Sequence, residues 1–464
     1  MSKYSFSVDP QDVEFIRSKN RLIQSKIPAP GTKNLLERLN LVESRSMHGQ
    51  LPIVWSKAEG FNIFDIAGNC WIDFTSTIFV ANVGHSNANV AKSIKDTLDN
   101  PLLSCYAYTN PIRADYLEKL IAFSGKPFEK AFLLSAGTEA TEAALKLMRM
   151  HGQKIRKKRL GIIAIENNWH GRTLGAQMMS SNKTQREWIG FQDKDIHHIP
   201  FPYPWDLKDI SGKDFLIKGL TKLKEMGIDL RSDICGFMLE TFQGWGAIFY
   251  PKDFVQEIYK VCQANNILLT FDEMQSGFGR TGKKFGFEHY EVEPDLICTG
   301  KGMGGGVPLS GVIGTAKIMD LPDIGNMSST HSANPLVCAA GLAVLNEIEN
   351  KNLIENTNKK SIILFKGLKE LKQKYPDRVE YIFGKGLIAA ILFKDPKTNS
   401  PDSFFTSMVA ERCMQKGLLV VHTGRESIKI GPPLIISEEA LNEGIKVLDE
   451  SINEIILEKG SKVD

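Results

Sequence analysis

What the sequence lacks narrows it first. None of its seven cysteines stands in a C-x-x-C pair, and an odd, scattered set suits neither a zinc site nor a disulfide framework. Reduced thiols, no metal and a reducing compartment are expected. No stretch reaches the roughly 18 apolar residues of a membrane span, and the opening MSKYSFSVDPQDVEF has no apolar core of signal-peptide length. Those absences point to the cytoplasm. An excess of one charge is also missing: a net +3 over 464 residues gives no field that would draw nucleic acid or an acidic membrane. The one basic run, Lys154 to Arg159 (KIRKKR), has no interleaved aromatics and reads as a solvated loop between a helix and a strand. Internal repeats and low-complexity segments are absent as well.

What is present is ordinary in bulk, with 42% hydrophobic and 24% charged residues, the balance of a globular protein. The length exceeds what one hydrophobic core organises, so two domains are expected. The informative stretch is Ile267 to Gly306, ILLTFDEMQSGFGRTGKKFGFEHYEVEPDLICTGKGMGGG. Two short apolar runs in it, ILLTF and DLICT, read as buried strands. Each delivers a charged side chain at its carboxyl end, Asp272 after the first and Lys301 after the second. In an open parallel sheet that end is where ligands bind.

Lys301 stands between Gly300 and Gly302, with Gly304, Gly305 and Gly306 close behind. By itself it could be a surface lysine in a flexible loop, or an amine whose pKa is lowered by burial so that it attacks an aldehyde. Asp272 tips the choice. Pyridoxal 5'-phosphate needs a lysine for its aldehyde and an acid for its ring nitrogen, and at ~4 Å and an effective dielectric of ~20 that ion pair is worth about 4 kcal/mol. Gln275, three residues on, can hydrogen-bond the ring hydroxyl. The text TFDEMQSGFGRTGKKFGFEHYEVEPDLICTGKGMGGGVPLSGVIG, with its Asp-x-x-Gln pair and a lysine 26 residues after the glutamine, resembles the class III (omega) aminotransferases of pyridoxal-phosphate fold type I. The resemblance runs from about Leu51 to about Leu448.

The resemblance implies an α/β fold: a large domain with a mainly parallel sheet flanked by helices, and a smaller α+β domain built from both chain ends. The expected division is an N-terminal arm and part of the small domain over 1–75, the large cofactor domain over 76–334, and the rest of the small domain over 335–464. Residues 1 to about 50 read as an arm or lid, with a helix near Asn34–Asn40. FNIFDI and CWIDF read as two strands around the turn Ala67-Gly68-Asn69. VANVGHSNANVAKSI follows, similar to the family's Gly-His segment but with Ser86-Asn87 in place of its usual His-Pro, a structural departure.

AFLLSAGTEATEAALKLMRM reads as a strand, a turn and a helix, whose first N–H groups favour a phosphate. The resemblance assigns that role to Gly137 and Thr138. It likewise places Trp169 where the family stacks an aromatic ring on the cofactor, and Arg172 where an arginine grips a substrate's distal carboxylate. Glu240, after the strand ICGFMLE, falls where the family pairs an acid with an arginine of the C-terminal domain. Thr330 falls where a threonine reaches the phosphate of a neighbouring subunit, implying a homodimer with a shared active site. A long helix from about Pro335 is expected to lead into the small domain. In SIKIGPPLIIS the family commonly has arginine where this chain has Lys429, and a lysine cannot make a planar two-point grip on an α-carboxylate.

The implied activity is amino transfer from a primary amine or ω-amino donor to a keto acid, 2-oxoglutarate or pyruvate, by a ping-pong mechanism with Lys301 and Asp272 as catalytic residues. An aminomutase, racemase, decarboxylase or phospho-lyase of the same scaffold would share those motifs.

Overall fold

The computed structural model describes residues 4–100 and 102–460. They form two compact units: one from residues 88–244 and 248–354, the other from residues up to 87, residues 245–247 and those from 355 onward.

The middle unit is built on a seven-stranded sheet. Its order is Lys130–Leu134, Ser310–Gly314, Leu296–Thr299, Leu268–Asp272, Ile234–Glu240, Gly161–Ile165 and Ile196–Ile199. Ser310–Gly314 runs antiparallel to both neighbours, and the ladders from Leu296–Thr299 to Ile196–Ile199 are all parallel. The central strands read GIIAI, ICGFMLE, LLTFD and LICT, buried along their whole length. Near-continuous apolar runs belong to strands covered on both faces. Helix Gly137–Lys154 supplies one cover, with Leu145, Leu147 and Met148 packed among Ile162, Met238, Cys298 and Val312. Parallel register then brings strand ends level: Asp272 lies beside Glu240 on one side and Cys298 on the other.

Two expectations shift here. Helix Pro335–Asn350 belongs to this unit, because its buried face (Cys338, Ala339, Val344, Ile348) packs on helices Ala88–Asp99 and Pro111–Ser124. The unit boundaries therefore fall at 87/88 and 354/355, later at both ends than 75/76 and 334/335. The basic run is also more than a solvated loop. Lys157 donates to the carbonyls of Arg231 and Asn265, both at 2.6 Å, and the Arg159 guanidinium meets Asp195, Nε to Oδ1 2.6 Å.

The other unit holds two sheets. One is antiparallel, in the order Val379–Lys385, Ile388–Phe393, Ser427–Ile430, Val421–His422. The other pairs Asn62–Asp65 with Cys70–Asp73 around the expected turn, and adds Leu418–Leu419 parallel to Cys70–Asp73. The predicted helix near Asn34–Asn40 spans Thr32–Val42. The segment before it is fastened to the C-terminal helices. Arg21 Nε meets Glu443 at 2.6 Å, Ser7 N donates to Glu411 at 2.9 Å, and the Tyr4 hydroxyl donates to the same Glu411.

Candidate active site

Eight of the residues singled out from the sequence line one cavity of about 360 Å³ at the carboxyl ends of the parallel strands: Gly137, Thr138, Trp169, Arg172, Glu240, Asp272, Gln275 and Lys301. That volume lies at the lower end of the roughly 300–1,000 Å³ of small-molecule sites.

Lys301 opens the turn after strand Leu296–Thr299 with φ +44°, a left-handed value uncommon for a residue with a side chain. Part of its surface faces the cavity, yet burial pushes the ammonium pKa down, opposed by the charges of Asp272 and Glu240. The net direction favours the neutral, nucleophilic amine.

Asp272 ends its strand 5% exposed. Its Oδ1 accepts from Met274 N at 3.1 Å, and its Oδ2 lies 3.0 Å from His170 Nδ1. His170 is itself fixed: its backbone N–H donates to Ser180 Oγ (2.8 Å) and its carbonyl accepts from Thr141 Oγ1 (2.8 Å). Its buried Nε2 has no hydrogen-bond partner. No local signal shows that His170 reaches an aspartate 102 positions away.

Glu273, next to Asp272, was also passed over. It is fully buried and accepts from Thr241 Oγ1 (2.5 Å), Ser276 Oγ (2.6 Å), Gly286 N and Phe287 N (both 2.7 Å). Burial raises its pKa against those four hydrogen bonds. It clamps the loop that follows Asp272 onto the end of the neighbouring strand, which fixes the backbone that carries Gln275.

Glu240 is 4% exposed. Its Oε2 accepts from Trp169 N at 3.1 Å and Gly244 N at 3.3 Å, so the carboxylate sets the backbone of the aromatic residue. Arg172 is exposed, with its guanidinium carbon 4.4 Å from the centroid of the Trp169 ring, a cation–π contact.

At the start of helix Gly137–Lys154, Glu139 folds back to accept from Ser135 N (2.9 Å) and Ala136 N (2.8 Å). The first-turn N–H groups of Gly137 and Thr138 have no intrahelical acceptor. Thr138 Oγ1 is 2.7 Å from Thr173 Oγ1, which donates to Glu142 at 2.6 Å. Gly171, at φ +147°, must be glycine: a Cβ there would sit 2.2 Å from Thr138 Oγ1.

Thr330 lies outside this lining, exposed ahead of helix Pro335–Asn350. Lys429 belongs to the other unit, 4% exposed on strand Ser427–Ile430, its ammonium 4.5 Å from the Phe79 ring centroid.

The donor set fits pyridoxal 5'-phosphate: a buried amine of lowered basicity for the aldehyde, a buried aspartate for the ring nitrogen, and unspent helix N–H groups for a phosphate.

Comparison with known proteins agrees with that fit. The chain is 34% identical over 409 residues to a probable 4-aminobutyrate aminotransferase of Bacillus subtilis (strain 168), covering 85% of this chain and 92% of that one. It is 33% identical to the acetylornithine aminotransferase of Caldanaerobacter subterraneus subsp. tengcongensis, covering 88% and 96%. Among solved structures, a Bacillus anthracis aminotransferase superposes with TM-score 0.82 at 26% identity, covering 91% of this chain and 98% of that one. Fold and site thus define a pyridoxal-phosphate-dependent enzyme of fold type I. The profile described as "Aminotransferase class-III" matches residues 44–452. The chain belongs to that family, and it is an aminotransferase.

Proposed function

We propose that the enzyme takes its amino group from a primary amine whose nitrogen-bearing carbon carries no carboxylate, and passes it to 2-oxoglutarate or pyruvate in a ping-pong sequence. The single observation behind the catalytic part is the Lys301 amine, lowered in basicity inside a cavity that also holds Asp272 and a helix N-terminus. The cofactor, when bound, supplies an electron sink for the carbon that loses its proton. Gly137 and Thr138 would hold its phosphate, Trp169 would cover a ring face, Gln275 would bond the ring hydroxyl, and Asp272 would keep the proton on the ring nitrogen. The Lys301 Nζ would be the base for the proton on the substrate's nitrogen-bearing carbon and, once protonated, the acid that returns it.

Donor choice follows from the cations. Arg172 carries a planar fork suited to a carboxylate, whereas Lys429 carries a point charge. An α-amino acid donor needs both ends gripped, and a lysine grips one of them poorly. Glu240 balances the cationic side when a donor brings no second carboxylate. The relative named for 4-aminobutyrate fits this reading, since the nitrogen-bearing carbon of that compound carries no carboxylate.

Assembly as a homodimer belongs to the same proposal, with Thr330 donated to the neighbouring subunit's phosphate. Thr330 lies outside its own chain's cavity lining, and Leu103, Tyr108 and Ile324 of the same unit are exposed apolar side chains of the kind that mark interfaces. A cytoplasmic location is proposed as well: all seven cysteines are free thiols, and among the described residues no helix is long and apolar enough to cross a membrane.

The test is an amine-donor panel in single turnovers, scored as loss of absorbance near ~420 nm and gain near ~330 nm, where pyridoxamine phosphate absorbs. ω-Amino acids and plain amines should complete the change, and α-amino acids other than the glutamate or alanine formed from the acceptor should lag. A panel that favours other α-amino acids overturns the donor assignment. For the dimer, chains carrying Lys301→Ala mixed with chains disabled at Thr330 should regain activity, and failure despite subunit exchange would retire the shared site.

A further inference from the structure

Four consecutive residues, Ser76, Thr77, Ile78 and Phe79, have φ of +46°, +52°, +59° and +69°. L-residues rarely enter this left-handed region even singly, and two of the four are β-branched, the type for which it is most unfavourable. Strain of this kind persists only where the surroundings over-determine it, and it gathers at functional positions.

The surroundings are explicit. Before the turn, Asp73 Oδ1 accepts from Thr75 N (2.7 Å) and Thr75 Oγ1 (2.6 Å). Within it, the Ser76 hydroxyl donates to the carbonyl of Gly431 at 2.6 Å, and Gly431 N donates back to Phe74 O at 2.7 Å. After it, Leu434 N donates to Asn82 O at 2.9 Å. The turn is stapled along its length to the segment that follows strand Ser427–Ile430. Gly431 is glycine for a steric reason, since a Cβ there would lie 2.1 Å from the Phe79 ring.

What this arrangement achieves is the placement of one ring. Phe79 is 1% exposed, and the Lys429 ammonium lies 4.5 Å from its centroid, within the range of a cation–π contact. The ring face attracts the ammonium and favours one placement of it.

We propose that Phe79 is a positioning and specificity-determining residue: its ring orients the Lys429 ammonium as a single-point cation for a substrate carboxylate. The inference rests on the reading of Lys429 as a substrate-facing cation, and the experiment separates the two. Glutarate, a dicarboxylate that cannot react, is titrated into the holoenzyme and its Kd read from the cofactor's visible absorbance, with Tm recorded for each variant. Phe79→Leu, which keeps apolar bulk but loses the ring face, should weaken glutarate about three- to tenfold, while Phe79→Tyr should stay within about twofold. In a Lys429→Ala background the same Phe79→Leu change should be silent, the mark of a coupled pair. If Lys429→Ala leaves glutarate affinity unchanged, the reading of Lys429 fails and takes the inference with it. If Lys429→Ala weakens glutarate but Phe79→Leu acts equally with and without the lysine, Lys429 keeps its role and the inference about Phe79 is overturned.

Discussion

Lys301 and Lys429 have the same side chain and opposite surroundings. Around Lys301, burial drives the ammonium toward its neutral form while Asp272 and Glu240 pull it back, so the amine is tuned as a nucleophile and base. Around Lys429 lies the face of an aromatic ring, which attracts the charged form and orients it. The roles proposed for them call for opposite forms, a free amine at Lys301 and an ammonium at Lys429. Burial alone does not separate them, since both are largely enclosed; the partners within reach do.

That contrast can be pressed experimentally, beginning where the effect is largest. Lys301→Ala should keep the fold, lose the visible band of lysine-linked cofactor, and fall to about a thousandth of the activity or less. A variant with normal absorbance and rate would remove Lys301 from the chemistry. Asp272→Ala should still capture cofactor through Lys301 but lose at least about a hundredfold in kcat, because nothing then holds the ring nitrogen's proton. A loss below about tenfold would mean that Asp272 is misassigned.

Arg172→Ala should lower kcat/KM for 2-oxoglutarate by about 10- to 150-fold, the worth of one charge-assisted contact, and pyruvate by much less, because pyruvate has no distal carboxylate. Equal losses on both would take Arg172 out of the substrate site. The smallest effect is on the pH axis. Lys301 has a folded-state pKa lowered from 10.5, so capture of pyridoxal phosphate by the apoenzyme should rise with pH around a midpoint below that value. Glu240→Gln removes a charge that holds the ammonium and should move the midpoint further down. A stopped-flow absorbance series against pH reads both, and a midpoint at or above 10.5 in the parent would contradict the tuning of Lys301 by burial.

Much of this site was readable in the chain because it is built from local grammar. A buried apolar run closed by one charged residue places Asp272, Glu240 and Lys301 at strand ends, and strand–turn–helix places Gly137 and Thr138 at a helix start. What escaped depends on distance along the chain or breaks a local rule. His170 meets Asp272 only once the sheet has formed. Glu273 stands in plain view within DEMQ, but four donors converge on it from three separate segments. The left-handed turn from Ser76 to Phe79 contains no glycine, and glycine is the signal by which such turns are recognised. Helix Pro335–Asn350 was legible as a helix, but its allegiance to the middle unit depends on its packing against helices Ala88–Asp99 and Pro111–Ser124, which its own periodicity does not encode.

The pairing of Leu418–Leu419 with Cys70–Asp73 has a consequence for the birth of the molecule. Trp71, fully buried, donates its indole N–H to the carbonyl of Met414 at 2.7 Å, a partner 343 positions later. At the usual ribosomal pace of about 5–20 residues per second, the early strands wait roughly 20 to 70 seconds for the chain that will cover them. Residues 88–354 contain the whole of their unit and can assemble during that interval. The apolar strip around Ile63, Trp71 and Ile72 is thus what a nascent chain exposes longest, and it is there that a chaperone would find its substrate.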